Sequence, residues 1–445
     1  MTTFKHCNND LRSRLLRTLE PWRNASAWRI AFSGGLDSSV LLHLLADLAT
    51  REALPPLSAI YIHHGLQAAA DVWPEHCAQV CRALGVPLQV MAVQVEPGAS
   101  IERAAREARY TAFSQALAPG EVLLTAQHRD DQAETLLFRL LRGAGVRGLA
   151  AMSEQRALGR GQLLRPLLDV SRAMLEMYAR ERGLSWVEDP SNKDSRFSRN
   201  YLRQLILPSL TERWPQAAAN MARTAAHLAE AQGLLDELAD QDLVRAGTDA
   251  PFPWLGLSSL ALDPLKALSP ARQRNALRHW LAPLTRLPDS EHWVGWDSLR
   301  DAGREARPIW RLADGELHRA EGRIWWLSGA WLQQPDASIV WADPREALSL
   351  PGNGWLEFDN GVLGGELQVR YRQGGELMHL PGRGHRDLKR LLNESGLPVF
   401  ARGRLPLVYR GEQLLAVANL PELDGTAHGD WRLRWHAPTN DQSLS

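Results

Sequence analysis

Four short apolar runs in the first third of the chain, at 28–32, 57–62, 88–93 and 121–126, each lead into apolar residues at helical spacing, at 38–48, 71–84, 100–117 and 130–141. Strands alternating with helices in this way predict a parallel sheet covered on both faces. Ligands of such sheets bind beyond the carboxyl ends of the strands, so each strand-to-helix loop is a candidate site. The first loop reads Ser33-Gly34-Gly35-Leu36-Asp37-Ser38. Its two glycines permit a tight turn and close approach of a ligand to the backbone. The following helix offers free N–H groups at its start, and Ser33 and Ser38 add hydroxyls. Pyrophosphate is the natural guest of such an anion site. The chain contains no Gly-Lys-Ser/Thr, and the loop is not G-x-G-x-x-G, which sets it apart from the common phosphate-binding loops.

The 445 residues are long enough for two to four domains, and 44% hydrophobic with 23% charged residues predicts a folded chain. Three cysteines, Cys7, Cys77 and Cys81, are too few for a disulfide framework or a four-cysteine zinc site. With no apolar run of membrane-spanning length and no apolar segment in a charged N-terminus, a cytoplasmic protein is expected. The net charge of zero conceals local blocks. Residues 139–213 hold 14 basic against 8 acidic residues, 216–263 hold 2 against 7, and 370–410 hold 9 against 3. Such asymmetry gives basic surfaces to a neutral protein.

Beyond about 214 the pattern changes. Long helices are expected at 216–243 and 271–281, and strands at 324–327, 355–358 and 367–371. Near Gln373-Gly374-Gly375 we expect a linker to a small last unit with a basic helix at 386–395 and strands at 407–409 and 413–418. The predicted fold class is therefore multidomain: an α/β parallel-sheet domain over 1–214, a mainly helical and mixed domain over 215–365, and a small α+β domain over 366–445.

The fourth strand closes on Ala126-Gln127-His128-Arg129-Asp130-Asp131-Gln132-Ala133-Glu134-Thr135. Asp131 and Glu134 are three apart on the predicted helix and share a face, and Asp130 and Glu134 can also meet. Carboxylates there could complete the shell of a Mg²⁺ bridging to phosphate, or hold a cationic amine. His128 precedes the helix, whose dipole disfavours an imidazolium. Arg106 and Arg109 share a helical face and suit bidentate contacts to phosphate or carboxylate. Cys77 and Cys81 read as ordinary helix positions, and most of the 17 tryptophans read as core.

The loop matches the signature S-G-G-x-D-S, and the chain resembles the PP-loop ATP pyrophosphatases, with an adenine nucleotide α-hydrolase-like fold. The further runs Ile62-His63-His64-Gly65-Leu66, Arg106-Glu107-Ala108-Arg109-Tyr110, Arg165-Pro166-Leu167-Leu168, Glu188-Asp189-Pro190-Ser191-Asn192 and Arg199-Asn200-Tyr201-Leu202-Arg203 make it similar to the bacterial tRNA(Ile)-lysidine synthetases. The resemblance is dense over 28–208 and looser beyond.

It implies a ligase that adenylates the 2-carbonyl of the first anticodon cytidine of isoleucine tRNA (CAU anticodon) with ATP and Mg²⁺. L-lysine then displaces AMP, and the product reads AUA instead of AUG. It further implies that Ser33, Gly34, Gly35, Leu36, Asp37 and Ser38 bind nucleotide and that Asp37 and Asp131 hold metal. Arg109, His128 and Glu134 join Asp37 and Asp131 as catalytic-site residues. Arg199, Asn200, Arg203, Arg383, Arg386, Lys389 and Arg390 are expected to meet tRNA. A homodimer is common in the family. A sulfur-transferring relative is the alternative, disfavoured by the lack of C-x-x-C.

Overall fold

The structure, a computed structural model, describes residues 2–65, 72–95, 101–247, 250–288, 291–303, 306–335, 338–359, 361, 363–380, 384–423 and 431–439. The four expected strands are present as β1 (Ala27–Ala31), β2 (Leu57–His63), β3 (Leu88–Ala92) and β4 (Glu121–Leu124), and they pair in parallel. Before them lies a helix that the sequence reading did not identify, α1 (Thr2–Leu19); after them come α2 (Leu36–Ala49), α3 (Trp73–Leu84), α4 (Ile101–Ala116) and α5 (Arg129–Leu140). The chain then forms α6 (Val146–Leu149), a hairpin of β5 (Gln155–Leu158) and β6 (Gly161–Leu164), and α7 (Arg172–Glu181). The short α8 (Ser198–Tyr201) runs through a π-helical turn, Leu202–Ile206, into α9 (Leu207–Arg213), and α10 (Ala217–Ala246) follows.

The sheet order is β3-β2-β1-β4-β6-β5, with β5 antiparallel at the edge. Strand order reverses between β1 and β4, so the loops leaving these strands open a crevice at the sheet's switch point. Trp28, Ile30, Leu41 and Leu45 share one fully buried core with Leu11 and Leu15 of α1; Ile60, Leu123 and Leu163 pack with Phe113 and Leu117 on the other face. Removing both faces of the sheet from water fixes the strand ends that carry the site.

The chain divides into two compact units, 1–234 and 235–445, with the division falling inside α10. In the second unit, helices Pro270–Leu281 and Val294–Asp301 accompany a four-stranded antiparallel sheet whose strand Arg323–Leu327 is wholly buried. Further small sheets follow, all antiparallel. The strand Leu367–Arg370 pairs with Ile339–Trp341 on one side and Leu407–Arg410 on the other. The turn at Gln373-Gly374-Gly375 therefore lies inside this folded region rather than linking to it, and the Gln373 and Gly374 amides donate to Glu376 Oε1. A single core takes in Trp325, Trp331, Leu356, Leu407 and Trp435. Among the described residues, no helix is long and apolar enough to cross a membrane.

Candidate functional site

The loop after β1 is held from three directions. Gly34 has φ of +77°, a conformation that costs L-residues steric energy, and its carbonyl accepts from Val187 N at 2.9 Å. A Cβ on Gly34 would lie 3.0 Å from Cys77 Sγ and 3.1 Å from Val187 Cγ2. Ser38 Oγ donates to the Gly35 carbonyl at 3.0 Å and lies 3.1 Å from Ser33 Oγ. Gly35 is the N-cap of α2 and supplies no side-chain cap, so the first N–H groups of a firmly packed helix remain open toward a ligand. Cys77 and Cys81 are packing residues, as the sequence reading had it: burial pushes their thiols up to about 12 and about 11.

The loop after β4 forms the opposing wall. His128 caps α5 reciprocally with Asp131: His128 N donates to Asp131 Oδ2 at 3.0 Å, and Asp131 N donates to His128 Nδ1 at 3.4 Å. This leaves His128 Nε2 to carry a proton toward Asp37 Oδ2, 3.6 Å away. Burial disfavours charge on His128, but the carboxylates of Asp37, Asp131 and Asp130 outweigh it and raise its pKa. The helix dipole that the sequence places against an imidazolium here is thus opposed by three nearby acids. Asp37 is itself held low, because His128, Arg172 and Arg203 overcome the opposing effect of burial. Asp130 turns outward and accepts from Arg172 N at 2.9 Å, so it does not join Glu134.

Arg203 arrives from the π-helical turn. Its Nε donates to Glu134 Oε1 at 2.5 Å and its Nη2 to Asp131 Oδ1 and Glu134 Oε2, both at 2.8 Å. Burial raises the pKa of Glu134 despite this partner. Asn200 donates to the carbonyls of Ser191 and Asp194, each at 2.9 Å, and Arg199 Nη2 to Thr135 Oγ1 at 3.1 Å. The sequence reading set these three side chains toward tRNA. In the structure Arg203 donates to two carboxylates from Nε and Nη2, and Asn200 donates to two loop carbonyls.

These walls enclose a cavity of about 540 Å³. Ser33, Gly35, Asp37, Ser38, Arg109 and Asp131 line it, while Gly34, Leu36, His128 and Glu134 stand behind the lining. Arg109 lies beside His64, whose pKa is lowered by burial and then by the Arg109 and His63 charges. Trp73, Asp189 and Thr125 also line it. Trp73 and the Val187 clamp carried no sequence signal, because both come from segments without a motif.

The remaining expected residues lie in the second unit. Arg383 lies outside the described residues. Arg386 is not on the basic helix: it sits on strand Gly384–Asp387, paired with Met378. The helix begins only at Leu388, because Asp387 caps it by accepting from Arg390 N at 3.2 Å. Lys389 is exposed, and Arg390 Nε donates to Glu394 Oε1 at 3.0 Å.

Family models match most of the chain: a PP-loop domain over residues 7–210, a TilS substrate binding domain over 260–325, and a TilS substrate C-terminal domain over 367–435. A tRNA(Ile)-lysidine synthase of Pseudomonas syringae pv. tomato is 65% identical over 445 residues, covering 100% of both chains. One from Pseudomonas fluorescens is 66% identical and covers 98% of each. One from Shigella flexneri is 40% identical over 90% of this chain and 94% of its own.

Proposed function

The chain belongs to the tRNA(Ile)-lysidine synthase family, a ligase family with a PP-loop ATP-binding domain, and from that premise we propose how its residues divide the reaction. ATP and tRNA are its substrates. The cytosine 2-carbonyl oxygen of the first anticodon base, in an isoleucine tRNA with a CAU anticodon, attacks the α-phosphorus and pyrophosphate leaves. The ε-amine of L-lysine then attacks the same carbon, and AMP departs with the oxygen. The observation that carries this reading is the shared cavity, in which the glycine loop and helix start face Asp131 and Arg109.

The open N–H groups of α2, with Ser33 and Ser38, receive the phosphates and stabilise charge on the departing pyrophosphate. Asp37 and Asp131 are the residues that would hold Mg²⁺. Asp37 Oδ1 is enclosed without a hydrogen-bond partner, which suits a cation ligand. Among the described residues no group of three or more His, Cys, Asp or Glu side chains forms a ready metal cage. When bound, the ion would neutralise charge on the phosphates. His128 orients Asp37, and Arg203 holds Asp131 and Glu134 in place. Arg109 faces the reacting base or the carboxylate of lysine. Arg199 borders the tRNA path, and Arg386, Lys389 and Arg390 offer positive charge to its backbone. Function in the cytoplasm and as a homodimer completes the proposal.

The test uses purified protein, ATP, Mg²⁺, labelled lysine and a transcript with a CAU anticodon. Label enters the tRNA with release of AMP, and a change of the first anticodon base from C to U abolishes it. AMP release without lysine incorporation would overturn the assignment of the nucleophile.

A further inference from the structure

One group of charges at the cavity takes no part in this scheme. Tyr110 lines the cavity from α4, with the Arg106 guanidinium 4.8 Å and the Arg156 guanidinium 4.9 Å from its ring centroid. Arg165, buried beside them, hydrogen-bonds the phenol and donates to the Ser153 carbonyl at 2.7 Å. Arg139 is tied to the carbonyls of Gly148 and Ala151, each at 2.8 Å. Among the residues whose side chains are described, none of these four arginines is ion-paired with a carboxylate. Burial, followed by neighbouring arginines, lowers the pKa of Arg139; for Arg165 burial and two arginine neighbours outweigh Tyr110. Like charges gathered together repel one another, and an arriving anion relieves that repulsion. Arg106 and Arg156 are exposed residues, open to an anion from solvent.

We propose that Arg106 and Arg156, arranged around Tyr110 with the buried Arg165 holding the phenol from behind, form a cradle for a backbone phosphodiester of the substrate tRNA's single-stranded loop. The inference rests on the reading above, in which the reacting base enters this cavity. Guanidinium forks match phosphate oxygens bidentately, and sequence-specific enzymes acting on RNA loops must grip the strand beside a splayed-out base. Tyr110 pre-arranges both forks through its ring, which limits the ordering cost on binding. The edge strand β5, exposed over Gln155–Ala157, supplies Arg156 and gives that exposed edge a task. The phosphates of ATP carry the same chemistry, and the experiment separates the two sources.

Affinities for ATP and for the isoleucine tRNA transcript are measured over a series of KCl concentrations for the full-length wild type, Arg106→Gln, Arg156→Gln and Arg156→Lys. Both glutamine variants are expected to bind tRNA about tenfold more weakly, with the salt slope reduced by about one. ATP affinity stays unchanged, and the lysine variant recovers the slope. Unaltered tRNA affinity and slope in correctly melting variants would overturn the proposal, as would a loss confined to ATP. Failure of the wild type to attach lysine would strike the reading above and leave the cradle to be judged by these slopes.

Discussion

At Gly34 the backbone conformation and the space around it agree. Gly34→Ala combines strain at φ +77° with a methyl 3.0 Å from Cys77 Sγ, whereas a Cβ on Gly35 meets nothing closer than 3.5 Å. We expect Gly34→Ala to cost about 1–3 kcal/mol of stability and most ATP affinity, and Gly35→Ala to melt within a few tenths of a kcal/mol of wild type. Thermal melts with and without ATP check both. Asp37→Asn removes the charge beside His128 but leaves the loop; it should lower pyrophosphate release at least about a hundredfold while tRNA affinity stays within about twofold. A comparable fall in tRNA affinity would show that Asp37 acts on the fold. The buried thiols make a pH prediction. Cys77 titrates at about 12 in the folded chain against an ordinary value of 9.0. The unfolded chain therefore releases that proton first, and the thiol's contribution to stability, complete below pH 9, is lost as pH rises toward 12. In a Cys7→Ser background, disulfide-exchange reagents at pH 8 should label the native protein far more slowly than the unfolded chain, and rapid native labelling would refute the packing described.

Elements were legible where the local pattern carries the burial. β1, β2 and β4 read clearly because their apolar runs are largely buried, the edge strand β3 because its apolar run is contiguous although Val90 is exposed, and the glycine loop because its six residues are contiguous. β5 was not legible: Gln155, Arg156 and Ala157 are exposed on an edge strand, and nothing apolar alternates there. The site's third side, Arg203 and Val187, comes from far along the chain, and the bond from Arg203 to a carboxylate 69 residues earlier leaves no local trace in the sequence. The displaced start of the basic helix has a simple cause: a helical wheel drawn through Arg386 runs across the Asp387 cap. Asp387→Ala should cost about 1 kcal/mol by loss of that cap, measurable by chemical denaturation, and Asp387→Asn should recover most of it.

For the whole molecule, the pairing of Leu367–Arg370 with Leu407–Arg410 means that cutting the chain after Gln373 removes a partner from a central strand. Charge reversal is the cleaner probe. Lys389→Glu with Arg386→Glu should weaken tRNA binding about tenfold, reduce its salt dependence and spare ATP affinity. Equal tRNA affinity in the double variant would remove this surface from the interface. The uneven placement of tryptophan has a practical outcome. Of the 17 in the chain, only 22, 28, 73, 186 and 214 precede the division at 234. Ultraviolet emission is therefore weighted toward the second unit, which holds 12 of the 17 indoles. Trp73 lines the cavity. Nucleotide titrated into the protein should register as a small quench from that single indole, silenced in Trp73→Phe, so the enzyme carries a native fluorophore for its own first substrate.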